Sequence, residues 1–486
     1  MTTLSVAASL ESAPERNVRR GQIKTLVAIC GCAVLLRAVV PIPEGLDAKS
    51  WSLLTLFLAA LAGLILQPVP IGVVFLSALS VGLLGGVLTP AQALAGYSSN
   101  ILWLIVIAFL FARAFVKTNL GRRIALLIIG RIGTSSLRLG YALSLTDLVL
   151  APVTASNTAR AGAIVLPIAV SLSREFDSHP GPTASRIGTF LLFTAYQANL
   201  VTSALFLTAM ASNPLAVAFA SQIAGVQISW TTWLVAASLP GAISFLLVPY
   251  VIHKWMPPGI QHTPEARRYA TSQLDALGPP SAHEKILAGV FLALAVVWGT
   301  QQLHGIDTMV AGLAALCILL LGNVLSWDDV TGEARAWDTF IWWGAMMSLA
   351  TALNQSLAPS WFAAIAGHSL AGWPAMAALL MLVVVYTYVH YAFAGQTAHV
   401  VALYAPFLTV AVAAGAPPLL AALLFGFFSN LNSTLTQYSD GAAPIFYGSR
   451  YIDLKAWWRV GFYLSVLHLL VWLGAGLPWY RFLGIW

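Results

Sequence analysis

The sequence has little charge and little cysteine for its length. Asp, Glu, Lys and Arg make up 8 % of its 486 residues, whereas 59 % are hydrophobic. A soluble domain carries roughly 25 % charged residues, so the shortage excludes a soluble globular protein. The three cysteines, Cys30, Cys32 and Cys317, fall in apolar runs. They indicate neither a disulfide framework nor a zinc cluster.

The short motifs of membrane enzymes are also missing. There is no His-Glu-x-x-His zinc motif and no Gly-x-Ser-x-Gly nucleophile elbow. The formal net charge of +7 comes from basic residues spread among short loops, a pattern that indicates insertion topology and not nucleic-acid binding. We therefore expect neither an enzyme nor a bound metal or cofactor.

Recurring apolar runs predict an all-α polytopic membrane protein. Each run is close to the roughly 20 residues that cross a bilayer. The first run follows a basic segment without a small-residue cleavage site, so we interpret it as a retained helix and not a signal peptide. We predict about eleven transmembrane helices, near residues 24–42, 50–66, 69–88, 100–116, 186–213, 229–252, 285–303, 308–322, 337–353, 417–448 and 457–475.

Two further apolar stretches, hairpin 1 (137–175) and hairpin 2 (371–413), break at polar residues. We predict that each is a re-entrant hairpin, which enters and leaves the membrane on the same side. The positive-inside rule supports this topology with a cytoplasmic N-terminus. All but five of the 24 lysines and arginines then lie on the cytoplasmic side, the exceptions being Arg37, Lys49, Arg113, Arg160 and Arg481.

The predicted organisation has five parts. They are a cytoplasmic tail (1–23), a first helix (24–47), repeat 1 (48–252), a cytoplasmic linker (253–284) and repeat 2 (285–486). The C-terminus is expected in the periplasm, and the membrane is expected to be a bacterial inner membrane.

Matching motifs occur in the two halves. SNTARAGAIVLP (156–167) matches GQTAHVVALYAP (395–406), and TSALFLTAMASNP (202–214) matches NSTLTQYSDGAAP (432–444). The second pair lies in broken helix 1 (186–213) and broken helix 2 (417–448). Each half then has five crossings and one hairpin, and the odd number inverts the second half. Inverted repeats with broken helices are the architecture of secondary transporters, because irregular backbone at membrane depth must be buried or line a cavity.

Polar residues at the hairpin tips are candidates for substrate binding. Ser156, Asn157 and Thr158 precede a helix whose N-terminal N–H groups favour an anion. Gln396 and Thr397 begin the equivalent helix of hairpin 2. Two helix ends facing each other across a cavity suit a molecule with a carboxylate at each end.

Arg160 and His399 occupy equivalent positions and can both carry positive charge. An intramembrane arginine costs about 3 kcal/mol on insertion scales and usually marks a pathway or a ligand partner. Its guanidinium can bind a carboxylate bidentately. Alternatively, Arg160 pairs structurally with Asp147, and His399 is a buried hydrogen-bonding histidine. Only Asp147 and Asp440 lie in the interior of the hairpins and broken helices, fewer carboxylates than a proton or cation relay usually needs.

Hydroxyl groups in the two breaks are further candidates, although serine, threonine and asparagine also hold membrane helices together. His390, which stands alone, is interpreted as structural. The candidate hydroxyls are Ser203 and Thr208 in broken helix 1, and Ser433, Thr434 and Thr436 in broken helix 2.

Four motifs resemble the divalent anion:sodium symporter superfamily. They are SNTAR with its downstream proline (156–167), YQANLVTSALFLTAMASNPLA (196–216), TAHVVAL (397–403) and LTQYSDGAAPIFYGSRYIDL (435–454). The chain is most similar to the branch of plastid 2-oxoglutarate/malate translocators and bacterial citrate/succinate and tartrate/succinate antiporters. The resemblance implies a homodimer in which a mobile transport domain moves against a scaffold, an elevator mechanism.

The second Ser-Asn-Thr signature of this family is replaced by Gly395, Gln396 and Thr397. In sodium-coupled relatives the tips and breaks share sodium ligands, and here Arg160 and His399 stand beside those positions. The resemblance therefore implies sodium-independent exchange. Moving an empty, positively charged site through the membrane would cost several kcal/mol, so only the anion-loaded carrier should move.

We predict exchange of di- or tricarboxylates such as succinate, malate, 2-oxoglutarate, tartrate or citrate. The main alternative is a sodium- or proton-coupled dicarboxylate symporter of the same fold. An anion channel is less compatible with paired hairpins, which suggest a closed site.

Overall fold

The computed structural model of the chain describes all residues except 1–12, 155, 359–360, 362–363 and 365–371. Every named element in this part of the chain is helical. Eight of its helices are long and apolar enough to cross a membrane, and two shorter apolar helices are Ile71–Leu84 and Thr308–Leu321. The prediction of an all-α polytopic membrane protein is confirmed, whereas the number of crossings stays a prediction.

The chain divides into two compact units. Unit 1 contains the described residues of Met1–Leu102 and Trp337–Ile365. Its first helix begins at Ala13, earlier than the predicted residue 24, and the rest of the predicted tail lies outside the described residues. Its helical elements are Ala13–Val39, Ala48–Leu66, Ile71–Leu84, Pro90–Leu94, Ala95–Ser98, the start of Asn100–Thr118 and most of Ala334–Asn354.

Unit 2 contains the described residues of Trp103–Ala336 and Ala366–Trp486. At its centre lies the helix Gly188–Leu205, in which every residue except Thr189 is buried. Outside the hairpins and broken helices, its helical elements are Leu120–Ile132, Ala184–Arg186, Trp230–Trp255, Pro264–Leu277, Ala282–Gly299, Gln301–His304, Thr308–Leu321, Trp327–Thr331, Leu454–Leu469, Leu470–Ala475 and Gly476–Phe482.

Both hairpins are built from the same series of elements. An α-helix, a short 3-10 turn, a break, an α-helical tip, a π-helical stretch and a final α-helix follow each other in that order, and in each hairpin the two arms contact one another. In hairpin 1 they are Ser136–Leu150, Ala151–Val153, Asn157–Ala159, Arg160–Val165 and Leu166–Glu175. In hairpin 2 they are Ala375–Val389, His390–Ala392, Gln396–His399, Val400–Tyr404 and Ala405–Ala413. The predicted start of hairpin 2, residue 371, lies outside the described residues.

Each broken helix is interrupted within its polar motif. In broken helix 1 the helix Gly188–Leu205 ends before Phe206, whose backbone is extended, and Ser212–Ala224 follows the turn Leu207–Ala209. In broken helix 2, listed from its start, the elements are Pro418–Leu431, Asn432–Thr434 and Ala443–Gly448. Residues 435–442 between the last two carry the second break.

The two halves share a further repeated motif, which the sequence predictions did not include. LLGGVLTP (83–90) matches LLGNVLSW (320–327). The fourth residue of each motif, Gly86 and Asn323, has a positive φ of 66° and 54°, a conformation that glycine and asparagine tolerate best. The seventh residue of each begins a short helix with a capping box. The two halves therefore share local structure beyond the hairpins and breaks.

The predicted linker 253–284 contains an ordered helix and is not simply a polar loop. The helix Pro264–Leu277 has proline at its start, where the missing N–H costs nothing. Its Ala266 and Ala270 are buried, and the helix packs against Leu120–Ile132. The small side chains allow close approach despite a polar composition, which is why hydropathy alone suggested a loop.

Gly461 lies where the helix Leu454–Leu469 closely contacts broken helix 2. A Cβ at this position would overlap the backbone carbonyl oxygen of Thr434. We therefore expect Gly461→Ala to destabilise the protein by about 1–3 kcal/mol, measured as a lower melting temperature of the purified protein. Gly289→Ala is the matched control, because nothing lies within 4 Å of that added Cβ. It should be neutral or slightly stabilising, and equal melting of the two variants would contradict the close contact.

Candidate functional site

The two hairpin tips meet at Asn157 and Gln396. Asn157 Nδ2 donates to Gln396 Oε1 at 3.3 Å and to Asp440 Oδ2 at 2.8 Å. Each of these residues begins the helix that returns from its hairpin tip, and both are buried. The structure thus joins residues that are far apart in the sequence and belong to different repeats.

Further amide contacts extend this junction into both broken helices. Gln396 Nε2 donates to the carbonyl oxygen of Asn430 at 3.1 Å, and Asn430 Nδ2 donates to Asn213 Oδ1 at 2.7 Å. Asn213 in turn donates to the carbonyl oxygens of Ser203 and Phe206, at 2.8 and 3.1 Å. We call Asn157, Gln396, Asn430 and Asn213 the amide network. It satisfies backbone groups that the breaks leave without helical partners.

Asp440 is a buried carboxylate beside the amide network. Its Oδ1 accepts from the backbone N–H groups of Ala443 at 2.6 Å and Ala442 at 3.1 Å. The hydroxyl of Tyr196 lies 3.5 Å from the same oxygen. Among the described residues Asp440 has no ion-pair partner, so its charge is balanced only by dipoles.

Arg160 is completely buried, and most of its N–H groups have partners. Its Nε donates to Asp147 Oδ1 at 3.0 Å, and Nη2 donates to Ser203 Oγ at 3.0 Å. Its Nη1 donates to the carbonyl oxygens of Thr154 at 2.9 Å and Ala209 at 3.0 Å. The guanidinium therefore ties the tip of hairpin 1 to the break of broken helix 1.

Asp147 balances the charge of Arg160. The carboxylate also accepts hydrogen bonds from Asn199 Nδ2, at 3.0 and 3.1 Å, and from Thr202 Oγ1. The expectation that Arg160 offers an uncompensated positive charge is thus wrong. The structural alternative, pairing with Asp147, is what the structure contains, and a substrate has no access to the guanidinium in this conformation.

His399 lies in an aromatic cluster. Its ring centroid is 4.3 Å from that of Tyr386, 4.9 Å from that of His390 and 5.2 Å from that of Phe393. The side chain is fully buried, and neither ring nitrogen has a hydrogen-bond partner among the described residues. The imidazole of His399, in the tip helix of hairpin 2, is therefore not oriented by hydrogen bonds to described residues.

The sequence offset between the repeats shows which residues of repeat 2 stand in place of Asp147 and Asn199. Tyr386 stands 239 positions after Asp147, the same offset that separates the two hairpin motifs. Ser429 stands 230 positions after Asn199, the offset of the two broken-helix motifs. Tyr386 Oη and Ser429 Oγ are hydrogen bonded at 2.8 Å. An uncharged contact between Tyr386 and Ser429 thus occupies the position of the contact between Asp147 and Asn199.

Several candidate hydroxyls already have structural partners. Ser156 Oγ accepts from the N–H of Ala159 at 3.1 Å and caps the tip helix. Ser203 accepts from Arg160, as described above. Thr208 Oγ1 donates to the carbonyl oxygen of Pro152 and accepts from Trp230 Nε1 at 3.1 Å. These hydroxyls hold the hairpin 1 side of the site together.

Other candidate groups have free hydrogen-bonding capacity. The Thr434 and Thr436 hydroxyls and Asn432 Nδ2 are buried without a partner among the described residues. Thr158 and Thr397, one at each tip, are half-buried. Buried polar groups normally have partners, so the break of broken helix 2 has capacity for a polar ligand.

A charged cavity borders the returning arm of hairpin 1. Its volume is about 570 Å³, and its lining includes Ala159, Ala163 and Arg335. Asp329 Oδ2 lies 2.5 Å from Lys117 Nζ there. Burial alone would raise the pKa of the Asp329 carboxyl, but hydrogen bonds from Lys117, Ser326 and Arg113 hold that pKa well below its usual range. The carboxylate is therefore ionised, and hairpin 1 has a charged flank.

Sequence reasoning named Asn157 and Gln396 but missed the two other members of the amide network. Asn213 lies inside a quoted motif, and Asn430 lies two residues before one. A buried amide in a membrane helix needs a partner, which was the available signal. Asp440 was noted only as an acidic residue, and its position beside Asn157 required the fold.

Comparison with known proteins identifies a family that covers nearly the whole chain. Residues 22–486 match a protein family described as the sodium:sulfate symporter transmembrane region. A Bacillus subtilis (strain 168) protein, YflS, named as a candidate malate transporter, is 46 % identical over 448 residues, covering 92 % of this chain and 94 % of that protein. Dicarboxylate transporter 1, chloroplastic, of Arabidopsis thaliana is 39 % identical, covering 96 % and 84 %.

Two further matches cover most of the chain. The L-tartrate/succinate antiporter of Shigella sonnei (strain Ss046) is 34 % identical over 466 residues, covering 92 % of this chain and 96 % of that protein. The crystal structure of the YdaH transporter of Alcanivorax borkumensis superposes with a TM-score of 0.57 at 15 % identity, covering 84 % and 89 %. The last match shows a shared fold alone.

Proposed function

The chain belongs to the sodium:sulfate symporter family, and from that premise we propose that it exchanges di- or tricarboxylates across a membrane without sodium. The substrate class is that named for three relatives: malate, dicarboxylate, and tartrate with succinate. This chain covers 94 %, 84 % and 96 % of the lengths of these relatives, so the comparison concerns whole transporters. The protein is then a transporter and not an enzyme.

The observation that carries the proposal is the contact between Asn157 and Gln396. It joins the tips of both hairpins beside both breaks. Helix N-termini that meet at broken helices form the anion sites of secondary transporters. The half-buried Thr158 and Thr397 and the unpartnered hydroxyls of Thr434 and Thr436 supply donors for carboxylates and for the groups that distinguish one substrate from another.

Sodium independence is supported by the contacts of Arg160. Carbonyl oxygens of unwound segments are the ligands that coordinate sodium in broken-helix transporters. Here the carbonyl oxygens of Thr154 and Ala209 accept from the guanidinium, together with Ser203 Oγ and Asp147 Oδ1. The Arg160 guanidinium, a cation that belongs to the chain and is paired with Asp147, thus occupies a set of oxygens that would suit a free sodium ion.

Exchange by an elevator movement is part of the same proposal. The hairpins and broken helices of unit 2 move as one body held by the amide network, within a homodimer. The substrate supplies hydrogen-bond partners for the polar break during the movement. An empty site would carry unpartnered buried groups, and leaving such a group unsatisfied costs about 1–3 kcal/mol.

Purified protein in proteoliposomes tests the mode of transport. We expect uptake of radiolabelled succinate or malate only when the vesicles contain a dicarboxylate. Replacing sodium with potassium should leave the rate unchanged, because the oxygens around Arg160 need no added cation. Vesicles without protein are the control. Equal uptake into vesicles lacking internal substrate, driven by a sodium gradient, would contradict exchange.

One observation favours a second candidate, proton-coupled symport of the same substrates. Asp440 is buried at the junction of the tips without an ion-pair partner among the described residues. Such a carboxylate can carry a proton. In the same vesicles an inward proton gradient would then drive uptake without internal dicarboxylate, and Asp440→Asn would abolish that response.

A further inference from the structure

His390 makes two contacts in repeat 2 that are equivalent to contacts of Arg160 in repeat 1. Its Nε2 lies 3.0 Å from the carbonyl oxygen of Ser439 and 3.4 Å from Ser433 Oγ. These atoms stand 230 positions after the Ala209 carbonyl and Ser203 Oγ, which accept from the Arg160 guanidinium. The two side chains therefore contact equivalent atoms of the two breaks.

The hydrogen-bond pattern fixes the proton on His390. A carbonyl oxygen only accepts, so Nε2 carries a hydrogen directed at Ser439. Ser433 Oγ lies 3.4 Å from Asn432 Oδ1 and donates to it, which leaves its oxygen free to accept from the same imidazole N–H. His390 is thus a donor to a backbone carbonyl and a hydroxyl, as Arg160 is.

The length of the side chains explains why His399 does not take this role. His399 stands at the position equivalent to Arg160, but an imidazole extends less far than a guanidinium. Its nitrogens reach no partner among the described residues. His390 approaches the same oxygens from the 3-10 turn that precedes the break, at the position equivalent to Ala151. Its ring lies 4.9 Å from that of His399.

We propose that His390, and not His399, is the counterpart of Arg160 in repeat 2. It is a positioning residue whose imidazole N–H holds Ser433 and Ser439 in the break of broken helix 2 and takes the place of a cation there. Ser439 Oγ donates to the carbonyl oxygens of Ser433 and Thr436, at 2.6 and 2.7 Å. The contact therefore shapes the segment that carries the free threonine hydroxyls.

Three variants separate this role from simple packing. His390→Leu keeps bulk and removes the donor, His390→Gln restores an N–H donor, and His399→Leu removes the neighbouring imidazole. We expect His390→Leu to lower the dicarboxylate exchange rate by about tenfold, the cost of one unsatisfied buried acceptor. His390→Gln should recover much of the rate, and His399→Leu should have the smaller effect.

Hydrogen–deuterium exchange of the purified proteins gives a readout that does not need transport. Peptides covering residues 432–442 should exchange faster in His390→Leu than in the unchanged protein, and not in His399→Leu. A smaller variant, His390→Ala, should regain slow exchange and transport when imidazole is added, because the free base can occupy the vacated position.

The transport readout rests on the proposed function, and the deuterium readout does not. If the unchanged protein fails to exchange dicarboxylates, the proposed function is wrong, and the peptides of 432–442 still decide the role of His390. Unchanged deuterium exchange in His390→Leu, or an equal increase in His399→Leu, overturns the inference. If His390→Leu does not fold, His390→Ala with and without imidazole decides the question in the same peptides.

Discussion

Asp147→Ala is expected to destabilise the protein by about 3–5 kcal/mol, the cost of removing one partner from a buried ion pair. The substitution leaves the Arg160 guanidinium in a fully buried site with carbonyl and hydroxyl partners only. It also removes the acceptor of Asn199 and Thr202. The measurement is the melting temperature of detergent-solubilised protein, together with the fraction that elutes as folded protein in size-exclusion chromatography.

Two controls isolate the ion pair. Tyr386→Phe removes a hydroxyl at the equivalent position of repeat 2, which carries no charge. It should cost only about 1 kcal/mol, the loss of one neutral hydrogen bond. The double variant Asp147→Leu with Arg160→Met removes both charges and should regain much of the lost stability. If Asp147→Ala melts like the unchanged protein, the pair does not hold the hairpin to the break.

Asn157→Asp is expected to reduce exchange by about 100-fold or more, since an uncompensated buried charge costs several kcal/mol. The change is nearly isosteric, but it replaces the amide nitrogen 2.8 Å from Asp440 Oδ2 with a carboxylate oxygen. Two carboxylates would then face each other at the junction of the tips. Initial rates in proteoliposomes, normalised to folded protein, give the effect.

The reciprocal variant, Asn157→Asp with Asp440→Asn, provides the matched control. It restores one amide and one carboxylate at the contact with their positions exchanged. The oxygen of an asparagine at 440 can still accept from the N–H groups of Ala442 and Ala443. We expect it to recover much of the activity lost in Asn157→Asp. Full activity of the single variant, or equal inactivity of the double variant, would contradict a functional contact at the tips.

The helical class and the breaks could be predicted from the sequence for physical reasons, and the family from the resemblance of its motifs. Long apolar runs with few charges have no stable alternative to helices in a membrane. Polar residues inside such runs mark the breaks, and their recurrence in SNTARAGAIVLP and GQTAHVVALYAP pairs the two hairpins. The match over residues 22–486 confirms the family resemblance that these motifs predicted.

The partners of the charged and aromatic residues could not be predicted in the same way. A repeat gives equivalent backbone positions, but the contact that a side chain makes depends on its length. Arg160 reaches across to Ala209, whereas His399 ends among aromatic rings and His390 makes the equivalent contact. The sequence left pairing of Arg160 with Asp147 as one of two alternatives, because the pairing depends on how the two arms of hairpin 1 fold together.

The π-helical stretches Arg160–Val165 and Val400–Tyr404 lie between each tip and the arm that follows it. A π turn holds one residue more than an α turn, and each residue of an α-helix rotates the chain by about 100°. Loss of a single residue between the tip and Pro167 would convert the stretch to α-helix. Because the shorter α turn completes the same rotation, Asn157 would still point toward Gln396, whereas loss of one residue from an all-α arm would turn the tip by about 100°. Each hairpin therefore has a π turn that absorbs one extra residue between its tip and its arm without changing the direction of the tip.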